Sequence, residues 1–188
     1  MCSSDLKVQV ETLHLGYFPV KMARTTLSTP IQNLPLSPVD QEKSAAYTSP
    51  QRKAYFLSAR AALNAIQPGL QVGLTYPNDI PSLLHGFTSL SHGGDPAVAL
   101  YHPFLHVGID VEGPRAQLSR IAQKFLHSEE LAFIEGHSQK DWLLRVAWGA
   151  KEAVYKAAHV KGLSFSDDIR FVSWPDGDGA FRSEEHTV

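Results

Sequence analysis

Residues 107–112 read VGIDVE. Apolar Val107, Ile109 and Val111 alternate with Gly108, Asp110 and Glu112, which is the period of a strand with one dry face. The run 105–111 is therefore expected to be a buried strand. Its two carboxylates would share the other face, roughly 7 Å apart at about 3.4 Å of rise per residue. Like charges so placed repel unless water, a basic group or a cation lies between them. Oxygen ligands in that arrangement suit Mg²⁺, which takes one or two carboxylates and fills its shell with phosphates and waters. The competing reading is a strand end that runs into solvent at Gly113-Pro114.

Downstream, LSRIAQKFL carries Leu118, Ile121, Ala122 and Phe125 at helical spacing, and Ser128 is placed to cap a short helix EELAFIE that Gly136 ends. Glu129 and Glu130 in its first turn are explained by the helix dipole alone. A long helix is expected from about Lys140 to His159, with Leu143, Val146, Ala147, Ala150, Val154 and Ala157 on its core stripe. Glu152 points away from that stripe, flanked by Trp148, Lys156 and His159. A tryptophan is out of place on a wholly solvated back face, so this side is expected to meet a second structural half or a ligand. The bland account of Glu152 and Lys156 is a surface i,i+4 pair worth a few tenths of a kcal/mol.

Upstream, GFTSLSH and PAVALY read as strands, with HPF as a hairpin into 105–111. Ser91 and His92 stand at a strand end before Gly93-Gly94, where side chains and amides can meet phosphate. TSPQRKAYFLSARAALNAIQPG has a cap, a first-turn proline and a Pro-Gly stop, and is expected to be helical. It carries Arg52, Lys53 and Arg60, for which a solvated face is the simpler account. Residues 8–18 suggest a first strand, and the proline-rich stretch 25–49 a loop with at most one short helical turn. The tail IRFVSWPDGDGAFRS reads as strand, turn and strand.

The chain has 188 residues, 43% apolar and 19% charged, with a formal net charge of -2. That charge gives no field for nucleic acid or an anionic membrane. The only cysteine, Cys2, excludes a disulfide framework or CxxC site. No basic-then-apolar leader and no run of about 18 apolar residues occurs, so a soluble cytoplasmic protein is expected. There is no HEXXH, P-loop or GxGxxG, and the nine histidines show no metal spacing.

Taken in order, SLSH, GIDVE, RIAQKFLHSEE, WGAKEAVYKA and KGLSF resemble the 4′-phosphopantetheinyl transferase superfamily. The resemblance runs from about Gly86 to Ile169, with a weaker echo in the 50–66 helix. The combination of GID.E with W..KEA..K carries it. The length resembles that of the larger, monomeric type.

The resemblance implies an α+β protein of two similar α/β halves, 1–104 and 105–188, related by pseudo-twofold symmetry. Each half would be a small antiparallel sheet packed on a long helix, with the site between them. It implies Mg²⁺ and coenzyme A, and transfer of 4′-phosphopantetheine to a serine of an acyl or peptidyl carrier protein. Asp110, Glu112 and Glu152 match the metal ligands, Glu130 the general base, and Lys156 the lysine that assists the leaving group. Ser91, His92, Arg52, Arg60, Lys151 and Lys156 match coenzyme A-binding positions, although the resemblance leaves the part of the Lys151 side chain open. Relatives of the larger type often carry a lysine-proline pair where this chain reads TYP at 75–77, and many extend further beyond FVSWPDGDGAF. Two rival expectations are a silent module that binds coenzyme A or a carrier without transfer, and an Mg²⁺-dependent phosphoesterase.

Overall fold

The computed structural model describes residues 8–15, 18–26, 31, 33–77, 80–93, 95–113, 117–174 and 182–185. Two strands, β1 (Val8–Leu15) and β2 (Phe18–Thr25), lead into α1 (Pro38–Ala46) and α2 (Pro50–Ile66). Strands β3 (Phe87–His92) and β4 (Ala97–His102) follow, then α3 (Leu118–Phe125), α4 (Ser128–Glu135) and α5 (Lys140–Ala158). A ribbon of β5 (Ile169–Ser173) and β6 (Arg182–Glu185) closes the described chain.

The first four strands form one antiparallel sheet in the order β1-β2-β4-β3. Helix α2 starts where Ser49 accepts the Arg52 amide and Pro50 supplies a first-turn φ. It packs Ala62, Leu63 and Ile66 on Ala23 and Ala99, whose small side chains let the helix lie close to the sheet. The opposite sheet face carries Val20 and Leu100, packed with Val107 and with partly buried Met22, Phe87 and Ile109.

That second face corrects the expected strand at 105–111. Residues 106–113 run without any ladder partner. The amides of Ile109 and Val111 donate instead to Ser89 Oγ and Ser91 Oγ, both at 3.1 Å. The segment lies across the face of β3, not along its edge, so serine side chains meet it where carbonyls would in a sheet. The expected HPF hairpin is absent for the same reason. His102 Nδ1 accepts the amides of Phe104 and Leu105 at 3.1 and 2.8 Å, and the chain turns off β4 onto the sheet face. Gly108 makes that seat possible, because a Cβ there would stand 1.8 Å from the Ala153 carbonyl oxygen of α5.

Helices α3, α4 and α5 share a core of Leu118, Ala122, Phe125, Ile134, Leu143, Leu144 and Ala147. Three other readings need correction. The cap of α4 is His127, not Ser128, since its ring accepts the Glu129 amide while Glu130 returns a bond to the His127 amide. The stretch taken as loop contains nine-residue α1, opened by Ser37 accepting the Asp40 amide and by Pro38. The residues of α5 buried deepest are Leu143, Leu144, Ala147 and Lys151, so a lysine belongs to the core side while Val146 and Ala150 border a cleft.

The class is α+β, as expected. The pseudo-twofold relation is not shown: one part has a four-stranded sheet on α2, the other three helices and a two-stranded ribbon. The turn predicted between the last two strands, at 175–181, lies outside the described residues.

Candidate active site

The segment 107–112 and helix α5 face each other across a cleft of about 500 Å³, lined by Asp110, Glu112, Trp142, Arg145, Gly149 and Ala153 among others. Asp110 is the centre of its polar wall. Its Oδ1 accepts from Lys156 Nζ at 2.6 Å and from Ser91 Oγ at 2.8 Å. Lys156 Nζ also donates to the Ile109 carbonyl at 3.1 Å and to Ser91 Oγ at 3.3 Å. β3, the 107–112 segment and α5 thus meet in one hydrogen-bonded cluster that brings Ser91, Asp110 and Lys156 together.

The second carboxylate oxygen, Asp110 Oδ2, is buried and has no hydrogen-bond partner. Buried acceptors are nearly always satisfied, and leaving one bare costs roughly 1–3 kcal/mol, so the atom needs an explanation. It faces Gly149, whose missing Cβ would stand 3.8 Å away. Glu112 Oε1 accepts the Trp148 indole at 3.0 Å, which accounts for the tryptophan on that side of α5. At about 100° per residue, Glu152 occupies the strip of α5 between Gly149 and Lys156, both of which address Asp110.

Among the described residues, no three side chains of His, Cys, Asp and Glu stand close enough to form a ready-made metal cage. Mg²⁺ does not require one, because phosphates and waters complete its shell around one or two carboxylates. An orphaned carboxylate oxygen with hard oxygen donors as neighbours fits that ion.

Ser91 and His92 diverge, as successive strand residues must. Ser91 turns to Asp110, whereas His92 turns to the α2 face, where its ring stacks on Tyr55 with centroids 5.8 Å apart. His92 there lines a second pocket of about 490 Å³ with Lys43, Ala46, Tyr47, Phe56 and Arg60. Burial holds its imidazole below the ordinary histidine value, with the Arg60 charge adding to the effect.

Arg60 is not a free cation. It is 6% exposed, pairs with both oxygens of Asp40 at 3.0 and 3.2 Å, and donates to the Phe56 carbonyl and the Tyr76 hydroxyl. Tyr76 in turn donates to Asp40 at 2.6 Å, and burial pushes its phenol up from the usual value. Arg52 is exposed in the first turn of α2 and does not line the pocket.

The basic residue that sequence reasoning missed is Lys43. Its ammonium stands 3.5 Å above the Tyr76 ring, and among the described residues no carboxylate pairs with it. The Ser37-Pro38 start of α1 was the signal that would have placed it on a helix.

Glu130 and Lys151 stand apart from this cleft. Lys151 is fully buried and Glu130 is 4% exposed, with Nζ to Oε2 at 2.6 Å. Burial pulls the Lys151 ammonium below the ordinary lysine value, against the opposing pull of Glu130.

Residues 106–187 match the family model of the 4′-phosphopantetheinyl transferase superfamily. The match begins just before the segment that carries Asp110 and includes all of α5. No curated protein matches the chain. Among the described residues, no helix is long and apolar enough to cross a membrane.

Proposed function

We propose that the protein transfers 4′-phosphopantetheine from coenzyme A to a serine of an apo acyl or peptidyl carrier protein. The observation that carries this reading is Asp110: one oxygen is fixed by Lys156 and Ser91, and the other is buried and unsatisfied at the cleft wall. Asp110, Glu112 and Glu152 would hold Mg²⁺, which when bound neutralises pyrophosphate charge.

The chain's own residues supply alignment and a cation. Phosphoryl displacement depends on positioning and charge more than on covalent help. The carrier serine oxygen forms a bond to the β-phosphorus, and the bond from that phosphorus to the bridging oxygen breaks. Adenosine 3′,5′-bisphosphate departs, and the serine proton leaves to a carboxylate or water of the cleft. Lys156, held beside Asp110 by bonds to that carboxylate, Ser91 and the Ile109 carbonyl, offers its charge to the departing phosphate. Lys43 and His92, with Tyr47 and Phe56 beside them, form a basic pocket with aromatic walls suited to the phosphorylated nucleoside end of coenzyme A. Lys43 takes the part of the lysine absent before Pro77.

On this reading 1–104 and 105–188 act as one unit, as a cytoplasmic monomer that uses neither nucleic acid nor membrane. The test is an intact-mass spectrum of several apo carriers incubated with the protein, coenzyme A and Mg²⁺. A phosphopantetheine mass gain that EDTA abolishes supports the reading. Bound coenzyme A with no gain on any carrier overturns it in favour of a silent module, and hydrolysis of coenzyme A without a carrier in favour of a phosphoesterase.

A further inference from the structure

Lys151 spends all three of its ammonium protons inside the protein. It donates to Glu130 Oε2 at 2.6 Å, to the Phe165 carbonyl at 2.7 Å and to the Ile169 carbonyl at 2.6 Å. Glu130 is engaged as fully. Oε2 also accepts the His127 amide at 2.9 Å, and Oε1 accepts the Phe171 amide at 2.8 Å. Five bonds thus join the start of α4, the middle of α5, the loop before β5 and β5 itself.

A general base must bring an oxygen within hydrogen-bond reach of the proton it takes. Both oxygens of Glu130 are occupied, one by an ammonium and the carboxyl as a whole by two backbone amides. The cluster around Asp110 is built from other residues, and Glu130 does not line its cleft.

What the pair does hold is α5. Lys151 and Lys156 lie about 140° apart around the helix at 100° per residue. Pinning Lys151 on the core side therefore fixes the rotation that presents Lys156 to Asp110. We infer that Glu130 is a positioning residue: with Lys151 it locks α5 against α4 and β5, and it is not the proton acceptor of the reaction. The kinetic consequence rests on the transferase reading, whereas the lock itself does not.

A double-mutant cycle of E130Q and K151M tests this, with kcat, the pH–rate profile and urea stability as readouts. A lock predicts that each single change lowers kcat and stability, because each strands a buried partner. It predicts that adding E130Q to K151M changes kcat by less than about threefold, with the acid limb of the profile kept. A base would be lost in either background, with a further fall of roughly a hundredfold or more and no acid limb, and that result overturns the inference.

Should the variants not fold, the wild-type protein is crystallised with coenzyme A and a carrier whose serine is replaced by alanine. Glu130 is expected to stay on Lys151 and the Phe171 amide; a carboxylate swung against the alanine Cβ overturns the proposal. If the wild-type protein modifies no carrier, the transferase reading fails separately. The stability cycle still decides the lock: losses that simply add would refute it.

Discussion

Replacing Gly108 with alanine should disable the site without touching a charged group. The added Cβ would lie 1.8 Å from the Ala153 carbonyl oxygen and 2.9 Å from the Ala157 amide nitrogen, both backbone atoms of α5. Restoring an ordinary contact of 3.4 Å requires about 1.6 Å of separation between the segment and the helix. No side chain can swing aside to provide it. Overpacking of this kind costs roughly 1–3 kcal/mol, which in a domain of this size lowers Tm by about 2–4 °C per kcal/mol.

The catalytic loss should be larger than the stability loss. Asp110 is two residues along from Gly108, and its 2.6 Å contact with Lys156 would stretch beyond hydrogen-bond length. A misplacement near 1 Å costs on the order of a hundredfold in rate. Phosphopantetheinylation followed by intact mass, beside a thermal melt, measures both quantities. Gly136→Ala is the control for packing, since it lies outside the cleft and its Cβ would meet nothing nearer than the Ala132 carbonyl oxygen at 3.7 Å. A Gly108→Ala protein with unchanged Tm and transfer within twofold of wild type would refute the seating of 107–112 on α5.

Lys156→Ala should lower kcat by roughly 10²–10³-fold, the scale seen when one preorganised donor to a developing charge is removed, as measured by steady-state transfer to a carrier. Lys43→Ala should raise KM for coenzyme A about tenfold with little change in kcat, and should leave KM for dephospho-coenzyme A unaltered, as read from paired titrations. His159 sits at φ 55° after α5 with its imidazole held below the ordinary value by burial and by His106. The unfolded chain therefore takes up that proton first, so stability is complete above about pH 6.5 and falls as pH drops below it. His159→Asn, which accepts left-handed φ, should flatten that fall in urea melts taken across the range.

The sequence made some of this legible and hid the rest for identifiable reasons. Helices α2, α3 and α5 could be read because their apolar periods are local, and α2 also through its Ser49 cap and first-turn proline. Alternation in 105–111 was also read correctly as a two-faced extended chain, and Val107 and Ile109 do face the apolar side of the sheet. Alternation says nothing about a ladder, however. A ladder needs backbone partners at a strand edge, whereas this segment runs over the face of β3 and its amides are met by Ser89 and Ser91. Asp110 and Lys156 were legible through their motifs. Lys43 was not, because proline-rich neighbours masked a helix start that Ser37 and Pro38 in fact announce.

Lys151 was hidden more thoroughly. A helical period counts lysine as polar and sets it outside, and only the distant carbonyls of Phe165 and Ile169, with Glu130, make its burial tolerable. A buried ammonium stripped of such partners would cost several kcal/mol. Its place in the core therefore depends on acceptors 14 to 21 residues away in the chain. The same remoteness separates the two motif lysines. Lys156 finds its acceptors on the sheet side and keeps 28% of its side chain open to solvent, whereas Lys151 finds them in the helical core and keeps none. Five residues apart on one helix, the first keeps part of its charge at the surface and the second uses every proton of its ammonium inside the protein.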